Sequence, residues 1–520
     1  MKSDSQKALK RVTNYPAISQ SLSHEERAVA SALINDFEKS GVGMPQSTRA
    51  RFVDLNDKIL ALGQAFTEVS HPYVDHVEFD DPVKSLEGLP PPHIQHLMNN
   101  TKKKGKSNVA AVRTGSPLAY SVLRLAQREE SRRAMYVALN SGSPRQLGLL
   151  EEMLRTRGEL ANLLGKESYG EMTLGDKMVQ SPEHAMRFLE SAAKSHRPLA
   201  ESDLSILQNL KRRHTNNPSA QVEAWDQYFY TRFVSPSPSH STDTSPSEPL
   251  TTSSLRPYFT IGNTFKGLST LFQSLYGIRL EPSTTLLGET WHSEVRKLDV
   301  VHETEGKIGT IYCDLLQRED GGRKYDSAAH FTVRCSRLVT REEMRERRWE
   351  GDGFRNKEAE KVVEGGVKQL PVIVLVTDFV RSQGGGATLL SFEDVKTLFH
   401  EMGHAMHSML ARTDYQHIAG TRVQMDFVEV PSVFTEHFTS SPSFLATFAR
   451  HHKTNEPAQI THLKSFLSCQ QSQTFKALEL QNQIQMALLD QLYHSSLATS
   501  PSFSTTQILK DLQNRVNVFP

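Results

Sequence analysis

Residues 397–410 read Thr-Leu-Phe-His-Glu-Met-Gly-His-Ala-Met-His-Ser-Met-Leu, and the rest of the chain is best read outward from them. Residues four apart on an α-helix lie about 40° apart around its axis, so His400 and His404 of a His-Glu-x-x-His motif point at one place. Neutral imidazole nitrogen is a good zinc ligand, and a helix holds two of them with little freedom left to lose. Glu401, one step round the helix, can serve as general base without ligating the ion. Leu398, Phe399, Met402 and Met406 bracket the motif. The spacing therefore predicts a buried helix, as a dry catalytic cavity requires. A surface helix with chance histidines fits that apolar bracket poorly.

A catalytic zinc takes three protein ligands and keeps one position open. The third is expected from Glu429 in Asp426-Phe-Val-Glu-Val-Pro-Ser432, 25 residues after His404. Gly420 can break the chain between them, letting a second helix return across the first. Pro431 is tolerated only near a helix start, which places Glu429 in or just before an opening turn. Asp426 has two readings, an N-cap or the carboxylate that orients a histidine. His407, seven residues from His400, shares roughly the same face and is a rival ligand, although it lies a further turn along. His417 and His437 carry no assignment.

Away from the motif the chain reads as mainly α with a small sheet in the middle. Phe52, Leu55, Ile59, Leu62 and Phe66 recur at helical steps, and similar patterns predict helices within 117–140, 147–164, 182–213 and 477–492. The first 230 residues read as helical throughout. Alternation at Ile311, Cys313 and Leu315, and at Phe331, Val333 and Cys335, predicts strands, as does the apolar run Val372–Val376. Between Ser235 and Ser254, 16 of 20 residues are Ser, Thr or Pro, too little apolar surface to order, so this stretch is expected to be a disordered insertion. Residues 341–364 hold 15 charged residues in 24 and read as a solvated helical excursion. The expected organisation is an N-terminal helical region 1–234, the insertion 235–254, and a catalytic region 255–520 carrying the charged insertion 341–364.

Composition narrows the function. In 520 residues, 60 Lys and Arg balance 59 Asp and Glu for a net charge of +1, which argues against nucleic-acid wrapping or an anionic membrane partner. The basic clusters Lys102–Lys106 and Lys211–Arg213 lack the interleaved aromatics of a single-strand binder. The longest apolar run, Leu370–Val376, is seven residues, far short of the roughly 18 that span a bilayer. Three cysteines make no disulfide framework and show no zinc-ligand spacing. Met1–Gln20 lacks the apolar core of a secretory signal and makes a poor transit peptide. The end at Asn517-Val-Phe-Pro520 reads as an interruption of a longer chain.

Further motifs extend the reading. His400-Glu-Met-Gly-His-Ala-Met-His407, Tyr415-Gln-His-Ile-Ala-Gly-Thr-Arg422 and Asp426-Phe-Val-Glu-Val-Pro-Ser432 resemble the thimet-oligopeptidase-like zinc metallopeptidases, as do Gly288–Val301, Ile311–Leu315 and Ala329–Ser336. The resemblance runs from about residue 50 to the end, outside the two insertions, and is nearest to the branch that processes imported mitochondrial precursors. It implies a two-lobed, largely helical fold with a deep channel and a small β-sheet next to the zinc helix. It also implies one Zn2+ held by His400, His404 and Glu429, with Glu401 as general base. The implied activity is metalloendopeptidase removal of an N-terminal octapeptide from precursors in the mitochondrial matrix. The expected partner is a precursor polypeptide or peptide, with no nucleic acid, no membrane insertion and a monomeric enzyme. Three features depart from the family pattern. A late histidine- and glycine-led motif followed by tyrosines is not found before Pro520, the N-terminal helical region is shortened, and Val423-Gln424-Met425 replaces an expected Cys-x-Thr. Two alternatives follow: a catalytically incomplete zinc-binding fragment, or a related oligopeptidase acting on short peptides.

Overall fold

The structure, a computed structural model, describes residues 7, 9–11, 20–69, 73–102, 108–234, 255–318, 328–346, 360–382, 386–471 and 475–519. In chain order the longer helices begin with α1 (His24–Lys39), α2 (Gln46–Glu68), α3 (Pro91–Lys102), α4 (Pro117–Leu125), α5 (Glu129–Leu139), α6 (Pro144–Leu163) and α7 (Pro182–Thr215). They continue with α8 (Ile261–Tyr276), α9 (Phe392–Leu410), α10 (Val430–His437), α11 (Pro442–Phe448), α12 (Ile460–Gln471), α13 (Lys476–Tyr493) and α14 (Thr505–Val516). Strands β1 (His76–Asp80) and β2 (Val109–Arg113) lie among the first helices. The others are β3 (Ile278–Ser283), β4 (Arg296–His302), β5 (Gly306–Leu316), β6 (Ala329–Arg334), β7 (Arg337–Thr340), β8 (Glu360–Val363), β9 (Gly366–Gln369) and β10 (Val372–Phe379).

The fold is mainly α with small sheets, and the periodicity of residues 52–66 lands in α2 as its spacing predicts. Leu55 and Leu62 are the buried positions of α2. One reading needs correction: β1 and β2 form an antiparallel pair inside the stretch read as all helical. Their signal is short, Val77 and Phe79 on one strand and Ala110 and Val112 on the other, too few residues to stand out against long helical patterns.

The chain forms two compact units, Met1–Gly43 with Pro238–Gln471, and Met44–Ser237 with Ser472–Pro520. These cut across the division expected from composition. In the second unit, Ile484 and Leu488 of α13 and Leu512 and Val516 of α14 bury against Met186, Leu189 and Ala193 of α7. The apolar stripe of α7 thus takes its partners from the far end of the chain. Composition along the chain does not tell which segments share a core. The expected insertion 235–254 lies outside the described residues. Of 341–364, residues 341–346 are helical and 360–363 are β8 paired to β9, while 347–359 lie outside the described residues.

In the first unit a five-stranded sheet runs in the order β3-β4-β5-β10-β6. The β5–β10 pair is parallel and the others antiparallel. Ile311, Cys313 and Leu315 of β5 and Ile373 and Leu375 of β10 share a core with Val395, Leu398, Phe399, Met402, Ala405, Met406 and Met409 of α9. Each large apolar side chain buried there contributes ~1.5–3 kcal/mol. This core lays α9 along the sheet and fixes which of its faces stays open.

On β6 the apolar alternation points outward. Phe331 and Val333 are exposed, because they point to the face of β6 opposite His330. The row Cys313–Leu375–His330 instead turns His330 towards α9.

Candidate active site

The site is built on α9. Ser391 caps it: its hydroxyl accepts from the Asp394 N–H at 3.1 Å, while its own N–H donates to the Asp394 carboxylate at 2.8 Å. Two donors of the helix start are thereby satisfied, and Glu393 and Asp394 add favourable charge to the first turn. Three turns on, Gly403 decides the geometry. A Cβ there would come within 2.6 Å of Ser432 Cα and 2.7 Å of the Pro431 carbonyl. Only a glycine lets α10 cross α9 that closely.

Glu429 sits at the residue just before α10, with Pro431 in the opening turn. The Ser432 hydroxyl holds it, donating to its carbonyl at 2.7 Å and its carboxylate at 2.9 Å. The crossing brings Glu429 Oε2 to 3.2 Å from His400 Nε2 and 3.1 Å from His404 Nε2. One donor atom from each residue lies within 4.8 Å of the others. Two imidazole nitrogens and a carboxylate oxygen are the donor set of a catalytic zinc site, so the residues present fit that ion.

Glu401 is buried, 8% exposed. Burial pushes its carboxyl pKa up, His400 opposes this, and Glu429 adds to it. Burial also lowers the pKa of His404, favouring the neutral, ligating form. At Glu429 burial would raise the carboxyl, but the Ser432 hydroxyl and the two histidines outweigh it and hold it down.

The other expected residues divide. Asp426 stands in the turn before α10, and the N-cap position belongs to Glu429. The cap reading is corrected, because Pro431 starts the helix one turn later than a cap at Asp426 needs. His407 lies outside the three-donor cluster, with its ring edge-on to Phe427 at 6.2 Å. His417 and His437 are exposed.

Two residues were missed from sequence. Glu436 Oε2 lies 3.2 Å from His400 Nδ1, the carboxylate contact that fixes a ligand's tautomer and orientation. Its signal was available: Glu436 is seven residues, two helical turns, beyond Glu429. His330 on β6 places its ring 5.9 Å from that of His404 and its Nε2 3.1 Å from the Ser408 hydroxyl. Burial, then the neighbouring His404 and His407, push its pKa down to about 4.

Comparison with known proteins finds relatives over nearly the whole chain. The profile described as Peptidase family M3 matches residues 122–520. A mitochondrial intermediate peptidase of Yarrowia lipolytica is 38% identical over 506 residues, covering 96% of this chain and 62% of the relative. Mitochondrial intermediate peptidase 1 of Cryptococcus neoformans is 40% identical over 518 residues, covering 96% and 65%. The mitochondrial intermediate peptidase of Malassezia globosa is 40% identical over 530 residues, covering 99% and 63%. The chain therefore spans less than two thirds of the length of these relatives.

Proposed function

From the premise that the chain belongs to peptidase family M3, we propose that it carries the zinc-dependent endopeptidase chemistry of an intermediate peptidase. The substrate is a precursor polypeptide from which an N-terminal octapeptide is removed after a first processing cut, in the mitochondrial matrix. The names of the relatives support this reading, and no described helix is long and apolar enough to cross a membrane.

One observation carries the metal assignment. His400 Nδ1 lies 3.2 Å from Glu436 Oε2, and its Nε2 lies 3.2 Å from Glu429 Oε2, so a ring that donates its Nδ1–H to Glu436 presents its Nε2 lone pair to the site. Two imidazole nitrogens and a carboxylate oxygen gathered on one point are the donor set that a catalytic zinc takes. His400, His404 and Glu429 would hold the ion, and Glu436 would keep His400 in its ligating tautomer. When bound, zinc supplies Lewis-acid polarisation of a carbonyl and a water acidified towards neutrality. Glu401, buried and with a raised pKa, accepts a proton from the attacking water and returns it to the leaving amine nitrogen.

The test loads the chain with zinc and offers it a quenched peptide spanning a precursor's octapeptide junction, beside the Glu401→Gln variant. Cleavage at the junction by the parent alone supports the proposal. Zinc binding without cleavage leaves the incomplete fragment, and cleavage of unrelated short peptides instead leaves the oligopeptidase.

A further inference from the structure

The chemistry above leaves the Tyr415–Arg422 stretch without a role, although it joins His404 to Glu429. Its beginning is pinned from several directions, all within the first compact unit. Lys368 of β9 donates to the Arg412 carbonyl at 3.0 Å and pairs with Asp414 at 3.3 Å. Glu305, in the turn between β4 and β5, grips the Arg412 guanidinium in two bonds of 2.7 and 2.9 Å. The Leu338 N–H of β7 donates to the Asp414 carbonyl at 2.9 Å. The loop then closes on itself, with the Gly420 N–H donating to the Ala411 carbonyl at 2.9 Å. Gly420 takes φ +64°, a left-handed turn that suits glycine.

The remaining anchor comes from 389 positions away in sequence. Glu25 of α1 accepts the Asp414 N–H at 2.8 Å, and Glu26 accepts the Tyr415 hydroxyl at 3.2 Å. The second oxygen of Glu26 accepts the Ser23 N–H at 2.7 Å, and the Ser23 hydroxyl accepts the Glu26 N–H at 3.1 Å. One carboxylate thus caps α1 and grips the loop, so the order of the helix start and the order of the loop are joined.

We propose that α1 is a clasp, and that Glu25 and Glu26 are positioning residues. By holding Asp414 and Tyr415 they restrict the loop that delivers Glu429 to His400 and His404, and so set how long the metal stays. A ligand carried on a loop binds more tightly when the loop is ordered beforehand, because less freedom is lost on binding. This inference rests on the zinc-ligand reading given above.

The test uses the full chain and three variants: Tyr415→Phe, which leaves the α1 cap untouched; Glu25→Ala; and both together. The rate of zinc transfer to a chromophoric chelator is measured. Backbone hydrogen exchange across residues 411–429 is followed in the metal-free chain. The double variant is expected to release zinc about three- to thirtyfold faster and to exchange faster at 411–429. Turnover per zinc-loaded chain should stay at the parent value, since neither residue touches Glu401 or a ligand. Glu25→Gln, which keeps an acceptor for the Asp414 N–H, is expected to recover most of the loss. Parent-like zinc release and exchange in the double variant would overturn the clasp. A parent that binds no zinc would instead sink the ligand reading, while exchange in the metal-free chain would still decide the clasp.

Discussion

Two carboxylates, one in each compact unit, sit among charged neighbours in opposite ways. Asp226, fully buried in the second unit, receives Arg132 at 2.6 Å, Lys211 at 2.6 Å and the Glu223 N–H at 3.1 Å. Lys211 reaches on to Glu129 at 2.8 Å, and the Arg132 guanidinium lies 4.1 Å from the Phe229 ring centroid. Glu429, in the first unit, is exposed and faces two histidine nitrogens. Asp226 is met by two buried cations and a backbone N–H, whereas Glu429 has the Ser432 hydroxyl on one side and two imidazole nitrogens on the other. The first arrangement is complete as it stands and holds helices together. The second offers the donor set that fits a metal ion, and on the proposed reading that is the difference between a structural carboxylate and a ligand.

The comparison can be broken most decisively through Glu401, which lies beside the three-donor cluster without belonging to it. Glu401→Gln is expected to lower kcat by about 10²–10⁴-fold while zinc content stays at the parent level. Loss of zinc together with activity would make Glu401 part of the binding set.

Next in size is the contrast in stability. Asp226→Asn removes the buried charge between Arg132 and Lys211, leaving Arg132 without a carboxylate and Lys211 with Glu129 alone, and should cost about 3–5 kcal/mol in urea unfolding. Glu429→Gln in the metal-free chain should shift stability by no more than about 0.5 kcal/mol. Equal losses would make Glu429 a structural carboxylate like Asp226.

A finer test concerns orientation. Glu436→Gln is expected to weaken zinc binding by about 10–100-fold, whereas Asp426→Asn should do less. The reverse order would return the orienting role to Asp426.

The smallest effect is in acid. Hydrogen bonds from Arg412 hold the Glu305 carboxyl at about 2, against an ordinary 4.5. Burial would raise Glu289, but Lys297, Tyr312 and the Leu286 N–H outweigh it and also hold it at about 2. Both pKa values are depressed by folding, so the native state binds fewer protons than the unfolded chain between these limits. Their stabilisation is therefore full above about pH 4.5 and lost as pH falls towards 2. Replacing Glu305 by Gln should flatten that part of an acid-unfolding curve followed by fluorescence; an unchanged curve would deny Glu305 the role.

Much of the candidate site was legible because it is local. His400, Glu401 and His404 share one helix, where spacing fixes direction, and Pro431 marks where the next helix starts. Glu429 could be named from that mark, but its approach depends on Gly403, whose role shows only when the backbones of α9 and α10 are seen to touch. Glu436 was missed although it stands two turns beyond Glu429, because that spacing tells of a shared helix face and not of which histidine the face will meet. His330 was missed because the apolar alternation of β6 drew attention to Phe331 and Val333, which face away from the core on an edge strand. The two compact units were hidden for a related reason: α7 finds its partners in α13 and α14, and no periodicity within one helix says which other helix will cover it.

The central claim is that His400, His404 and Glu429 hold one zinc ion. Titration of the metal-free chain with zinc against a competing chelator tests it most directly, run beside His404→Ala and Glu429→Gln. The account predicts one tight zinc per parent chain and loss of that tight binding in both variants. Parent-like affinity in either variant would contradict it.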